Sequence, residues 1–308
     1  MITTTGVLFF RGHLSIFIHQ ATGWFLPKSQ IVERTFRIQN SSGDDFAGDI
    51  RYVDEGVRRP LLVVCHGFTA HKDWGPFPYF GRRFAELGFA SVVFNFSHNG
   101  IGDNHRKFTE LDKFSRNTIG KELEDLRAVI DAVEQGEIGR EIVDAERIGL
   151  VGHSRGGGVA ILFANLDHRI KAVAGWSTVS TFFRYTSHQK ELWEKQGFMP
   201  VTIRSMKTKL RYGIEVLRDL EANKEQYDLV ATVKGLTVPL LLVHGEADVT
   251  VRPTEAQKLF EASDKSKTEL ILVEHTGHMY GTKAGSGIPN PTLEYITDIT
   301  AKWFHRHL

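Results

Sequence analysis

Two stretches of this 308-residue chain, Leu61-Leu62-Val63-Val64 and Leu240-Leu241-Leu242-Val243, are unbroken apolar runs. A strand with one wet face alternates apolar and polar residues. A continuous run belongs to a strand buried on both faces. Such strands need helices above and below them, which restricts the chain to an α/β design. Strand patterns at 32–39, 46–53, 60–66, 90–96, 147–152, 169–175, 238–244 and 268–274 are interspersed with helical patterns at 77–88, 119–135, 155–166, 254–263 and 291–307. Within 119–135, Leu123, Leu126, Val129, Ile130 and Val133 recur at helical spacing. The first two strand patterns flank the turn-rich Ser41-Ser42-Gly43-Asp44-Asp45, so an antiparallel hairpin at the sheet edge is expected. The pattern predicts a mostly parallel eight-stranded sheet with helices on both faces.

One stretch interrupts this order. Between about Trp176 and Lys234 no strand pattern is evident, and helical patterns lie around Lys190–Lys195, Val201–Leu210 and Tyr212–Ala222. We read it as a helical cap, about 176–234, inserted into a single domain spanning 31–308. Its aromatic residues serve mainly to bury the cap against the body. Trp176, Phe182 and Phe183 are candidates for lining a substrate pocket beneath it. Seven Lys or Arg face two Glu between Trp176 and Tyr212, a local excess of five positive charges. That excess fits a solvated helix face, or alternatively a preference for anionic substrates.

Chemistry enters at Gly152-His153-Ser154-Arg155-Gly156. The apolar strand pattern Arg147-Ile148-Gly149-Leu150-Val151 precedes it, and Gly157-Gly158-Val159-Ala160-Ile161-Leu162 opens an apolar helix after it. A serine between strand and helix sits on a tight turn that lifts its hydroxyl above the sheet. Glycines two residues to either side let neighbouring backbone approach. A serine hydroxyl is a weak nucleophile and needs a base, itself oriented by an acid. Both follow in chain order at strand ends. After Leu240–Val243 comes His244-Gly245-Glu246-Ala247-Asp248, in which Asp248 is the candidate acid and Glu246 the alternative. After Leu270–Val273 comes His275-Thr276-Gly277-His278, in which His278 is the candidate base and His275 the alternative. An acyl transfer also develops an oxyanion, which needs preformed N–H donors. The Arg155 backbone, at the positive end of a helix, is one candidate. Phe68, in the loop His66-Gly67-Phe68-Thr69 after the third strand, is the other. The Arg155 side chain fits a structural ion pair better than a substrate contact. His98 and Asn99, in the loop after the fourth strand, are placed either to touch substrate or to orient that loop.

The bulk numbers narrow the partners. A formal net charge of +1 provides no field that would draw the chain to nucleic acid or an anionic membrane. The single cysteine, Cys65, excludes an intramolecular disulfide and fits a reducing, cytoplasmic setting. Residues 1–30 read as an extension of uncertain role. Arg11 and His13 interrupt its apolar runs, and no Lys or Arg precedes Val7, so it lacks the pattern of a secretory signal. No uninterrupted run reaches the length of a membrane-spanning helix.

Together, His66-Gly67-Phe68-Thr69, Gly152-His153-Ser154-Arg155-Gly156-Gly157, His244-Gly245-Glu246-Ala247-Asp248 and Gly277-His278 resemble the α/β-hydrolase superfamily over roughly residues 32–308. Within it they are similar to the cinnamoyl/feruloyl-esterase and serine-aminopeptidase-like branch. The resemblance implies a serine hydrolase that needs no cofactor or metal and acts on small-molecule esters. It implies Ser154, Asp248 and His278 as the triad, with Phe68 and Arg155 as oxyanion donors. Esterases of that branch often carry Gln where Arg155 stands, and the cap sequence diverges. A related dienelactone-hydrolase group uses a cysteine nucleophile, against which the serine here argues.

Overall fold

The computed structural model describes residues 30–102, 104, 107–203, 208–282 and 289–308. Nearly all of the expected amino-terminal extension, and Arg204, Met206 and Lys207 of the expected cap, lie outside these residues.

All eight predicted strands form, within a few residues of their expected bounds, as one sheet. Strands β1 (Ile31–Gln39) and β2 (Asp45–Val53) make the edge hairpin. Its turn is organised by Asn40, whose Oδ1 accepts the N–H groups of Ser42 at 3.1 Å and Asp44 at 2.9 Å. The other six are β3 (Arg59–Cys65), β4 (Ala90–Phe94), β5 (Val143–His153), β6 (Ile170–Trp176), β9 (Leu240–Gly245) and β10 (Thr268–Val273). They run parallel, and the full order is β1-β2-β4-β3-β5-β6-β9-β10, with β2 antiparallel to β4. The sheet is therefore mixed at one edge and parallel elsewhere.

The apolar runs divide between two cores as a period of two requires. Leu61, Val63 and Cys65 pack with helices α3 (Ile119–Glu134) and α4 (Arg155–Leu166). Leu62 and Val64 pack with α1 (Phe77–Glu86) and α9 (Pro291–His307) on the opposite face. Leu240 and Leu242 divide from Leu241 and Val243 in the same way. Helix α8 (Pro253–Ala262) packs against β9 and β10. A short helix α2 (Leu111–Ser115) precedes α3.

The segment between β6 and β9 departs from expectation. Helices α5 (Ser187–Gln196), α6 (Ile214–Ala222) and α7 (Leu229–Gly235) are present. The helical pattern expected over Val201–Leu210 is instead a hairpin of β7 (Phe198–Ile203) and β8 (Thr208–Gly213), so the segment is not purely helical. The physical signal was a period of two: Lys209 and Arg211 are exposed while Leu210 and Tyr212 are buried. Val201, Thr202 and Ile203 add β-branched side chains that favour an extended backbone. Among the described residues no helix is long and apolar enough to cross a membrane.

Asp125 of α3 is fully buried and joins three parts of the fold. Its carboxylate accepts from Asn40 Nδ2 at 2.7 Å, Ser97 N at 2.8 Å and Ser97 Oγ at 2.9 Å. Burial pushes this carboxyl up to about 7, against the pull of those hydrogen bonds. Because the folded value lies above the ordinary 3.8, the folded chain binds the proton more tightly. The group's contribution is then most favourable at low pH and declines as pH rises through that interval. Urea midpoints should show a decline between about pH 4 and pH 7 that is flatter in Asp125→Asn. Equal slopes in the two proteins would refute the assignment.

Candidate active site

The site is built on the turn from β5 into α4. Ser154 adopts φ 56° and ψ −120°, a left-handed conformation that costs a non-glycine residue energy and persists only where surrounding contacts impose it. Its N–H donates to the Trp176 carbonyl at 2.8 Å, and its carbonyl accepts from Gly157 N at 3.1 Å. A serine at a helix start ordinarily caps the helix with its side chain, but here no such cap bond forms. The neighbouring glycines are obligatory. A Cβ on Gly152 would lie 2.3 Å from the Gly156 carbonyl oxygen, one on Gly156 2.4 Å from that of His66, and one on Gly157 2.4 Å from Thr178 Oγ1.

Asp248 lies on the loop leaving β9 and is buried. Oδ1 accepts the N–H groups of Thr250 at 2.9 Å and Val251 at 3.0 Å, while Oδ2 accepts from His278 Nδ1 at 2.7 Å. His244 Nε2 is 3.4 Å from the same Oδ2. Burial alone would raise this carboxyl, but hydrogen bonds from His244, His278 and the Val251 N–H hold it well below the usual carboxylate range. An ionised Asp248 fixes the proton of His278 on Nδ1 and leaves Nε2 able to accept. His278 and Ser154 line the same cavity. The alternatives do not join them: Glu246 is exposed, and His275 is exposed at φ 54°.

Two buried histidines hold the surrounding loops. His153 donates from Nε2 to the His278 carbonyl at 3.0 Å, and the two rings lie 4.7 Å apart. Burial, then repulsion from His278, pushes His153 down to about 3, so it is neutral. His66 donates from Nδ1 to the Gly67 carbonyl at 2.9 Å and accepts the Phe96 N–H on Nε2 at 3.2 Å. Burial lowers it also to about 3. The loop it organises passes directly against the serine, since a Cβ on Gly67 would lie 3.2 Å from Ser154 Cβ. Phe68, the next residue of that loop, and Arg155, the next after the serine, line the same cavity as Ser154. Sequence reasoning did not single out His153 as a support, because its role depends on where the His278 loop lands.

A cavity of about 430 Å³ opens over the serine. Phe182 lines it, joined by Tyr185 and Tyr212 from the β6–β9 segment and by Trp74, Ile119 and Met279 from the body. Three expected pocket residues lie elsewhere. Trp176 is fully buried on the α1 and α9 face, its ring 4.7 Å from Phe80 and its indole N–H donating to Thr300 Oγ1 at 3.0 Å. His98 is buried beside Ser97 Oγ at 2.8 Å and orients its loop. Burial, then Lys121, lowers it to about 4. Phe183 packs against the core rather than into the cavity. Trp176 follows Ala172 and Ala174 onto that face at the strand period of two, whereas His98 and Phe183 lie in loops, where periodicity reports no side-chain direction.

Among the described residues no Asp or Glu lines the cavity, and its two arginines are each paired. Arg155 Nε meets Glu122 Oε2 at 3.0 Å, and Arg184 Nη1 meets Glu255 Oε1 at 2.6 Å. Of the described Lys and Arg between Trp176 and Tyr212, Arg184 alone lines the cavity; Lys190 pairs with Glu221, and Arg211 lies over the Phe198 ring. Cys65 is buried at the end of β3, and burial pushes its thiol up. Among the described residues no cluster of three or more His, Cys, Asp or Glu could hold a metal ion.

The prolyl oligopeptidase family model (Peptidase_S9) matches residues 82–308. The chain belongs to this family. A similar protein of Escherichia coli, an uncharacterized 31.7 kDa protein in the traX-finO intergenic region, is 25% identical over 288 residues, covering 83% of this chain and 94% of its own. Solved structures similar to this family member share its fold. The esterase domain of a Rhodothermus marinus protein superposes with a TM-score of 0.61 at 19% identity, over 90% of this chain and 99% of that one. Est1E from Butyrivibrio proteoclasticus does so at 0.61 and 18%, over 89% and 98%. A puromycin-hydrolyzing peptidase of Mycobacterium tuberculosis does so at 0.61 and 17%, over 90% of this chain and 39% of that one. The fold is that of the α/β hydrolases.

The turn of this S9 family member yields a direct test. Gly152→Ala should lower stability by at least about 1–3 kcal/mol, as overpacking against backbone does. Gly235→Ala, with nothing within 4 Å of the added methyl, should stay within about 0.5 kcal/mol of the parent. Urea denaturation of both variants measures the contrast.

Proposed function

We propose that the chain is a serine hydrolase acting on small, uncharged carboxylic esters through an acyl-enzyme. The observation that carries this reading is the 2.7 Å hydrogen bond from His278 to a buried Asp248, with His278 and Ser154 lining one cavity. His278 Nε2 takes the Ser154 proton as Oγ attacks the ester carbonyl. The N–H groups of Phe68 and Arg155 receive the oxyanion, and Asp248 stabilises the imidazolium that forms. The tetrahedral adduct collapses, and the alcohol leaves with the proton from His278. Water, deprotonated by His278, then cleaves the acyl-enzyme by the same route. The segment between β6 and β9 acts as the cap of a hydrolase domain spanning 31–308, and Phe182, Tyr185 and Tyr212 from it shape the acyl or alcohol pocket.

The charge pattern of the cavity supports esters over peptides. An exopeptidase must hold a free ammonium or carboxylate at the chain terminus. No acidic side chain among the described residues faces the cavity, and both arginines there are already paired with glutamates. Family membership keeps amide hydrolysis as the second reading. A non-catalytic binder is the third, and it needs no such hydrogen-bonded pair beside a strained serine.

Ser154→Ala should lower p-nitrophenyl butyrate turnover by on the order of 10³-fold or more, with the fold retained. Asp248→Asn should lower kcat by about 10⁴-fold, because His278 loses the tautomer that leaves Nε2 free. Aminoacyl p-nitroanilides turned over as fast as the esters would replace the ester reading by the amide one. A fluorophosphonate that leaves Ser154 unmodified would favour the binder.

A further inference from the structure

The two proposed oxyanion donors, Phe68 and Arg155, come from different elements, one on the loop after β3 and one on the first turn of α4. An oxyanion hole works only if its N–H groups are held in place before charge develops. Here the side chains of these two residues pack on each other. The Arg155 guanidinium lies over the Phe68 ring at 5.3 Å. Tyr212, from the β7–β8 hairpin, closes a triangle: its ring is 5.1 Å from that of Phe68, and Arg155 lies 5.7 Å over it.

Hydrogen bonds hold this packing. Arg155 Nη1 donates to the Tyr212 hydroxyl, which in turn donates to the Asn117 carbonyl at 2.9 Å. Arg155 Nη2 donates to the same carbonyl at 3.0 Å, and Nε donates to Glu122 Oε2 at 3.0 Å. Asn117 Nδ2 donates to the other Glu122 oxygen at 3.1 Å. The Arg155 and Glu122 side chains are 12% and 3% exposed. Burial raises the Glu122 carboxyl, and the facing Arg155 opposes that rise. Burial also raises the Tyr212 hydroxyl, which stays protonated. Tyr212 stacks in turn on Trp193 of α5 at 5.6 Å, so the hairpin and α5 share one seat.

Building on the serine-hydrolase reading, we propose that Arg155, Phe68, Tyr212 and Glu122 form a clamp that sets the spacing of the two oxyanion donors and couples it to the β7–β8 hairpin. An apolar cluster would fill this volume without desolvating two charges. An Arg–Glu pair does more than fill space, because its fork fixes direction as well as contact. The side chains of Arg155, Phe68 and Tyr212 also line the cavity. A group that presses on Tyr212 therefore bears on the oxyanion donors. Discrimination between acyl groups accordingly appears in kcat more than in KM.

The test uses the full chain with p-nitrophenyl butyrate and a trifluoromethyl ketone, whose serine adduct carries an oxyanion. Arg155→Met should lower kcat by about 10–100-fold with KM within about threefold, and weaken the ketone in parallel with kcat. Tyr212→Phe keeps the ring and loses the hydroxyl; it should lower kcat and raise the ketone Ki by about 3–10-fold, with the melting temperature lowered by no more than a few degrees. Arg155→Lys should restore only part of the loss, since it keeps the charge without the fork. If Arg155→Met fails to fold, Tyr212→Phe decides. Unchanged kcat in the folded variants, or a rise in KM alone, overturns the clamp while leaving the serine-hydrolase reading intact. Wild-type protein that hydrolyses no ester and takes no fluorophosphonate at Ser154 overturns that reading, and the clamp with it.

Discussion

The site depends on one steric constraint, the near-contact of backbone with backbone where β5 turns into α4. Gly152, Gly156 and Gly157 each leave less room than a methyl group requires, against atoms of the turn itself, of the loop after β3 and of Thr178 after β6. Three strand ends are thereby drawn onto one point. With those distances imposed, Ser154 has no relaxed conformation to adopt and is held at φ 56° with its side chain unused by the helix it precedes. The stability of the surrounding sheet maintains this strain, as expected where a functional geometry is stored in the backbone.

Around that point, charge is confined. His66 and His153 are buried and neutral; His66 spends both ring nitrogens, and His153 its Nε2, on holding a loop. Asp248 is a buried anion satisfied by two backbone N–H groups and the imidazole of His278. The arginines at the cavity wall are matched by glutamates outside it. A wall of this kind presents aromatic surface and hydroxyl groups without free charge. Among solved structures of the same fold are both esterases and a peptidase, at identities too low to carry more than the fold. The choice of bond must therefore be argued from the lining of this cavity.

Much of the fold was legible in the amino-acid order, because burial on both faces leaves an unmistakable pattern. Leu61–Val64 and Leu240–Val243 are apolar at every position, since consecutive residues enter different cores. Ser154, Asp248 and His278 stood out as candidates because each follows a strand carrying an apolar run, and parallel strands bring their carboxyl ends to one edge. The β7–β8 hairpin was misread. Its strands are short and covered on one face, and Val201–Leu210 contains enough apolar residues to imitate a helix.

Sequence by itself determined the doubly covered sheet and the glycine turn, which are local patterns or follow from strand periodicity. Tertiary structure alone decided which groups meet. His98 turned into its own loop, whereas Ile119, Trp74 and Met279 reached the cavity. Arg155 found its partners in Glu122, 33 positions earlier, and Tyr212, 57 positions later. Such meetings depend on the angles at which strands, helices and the inserted hairpin pack. Residue spacing along a chain does not encode those angles.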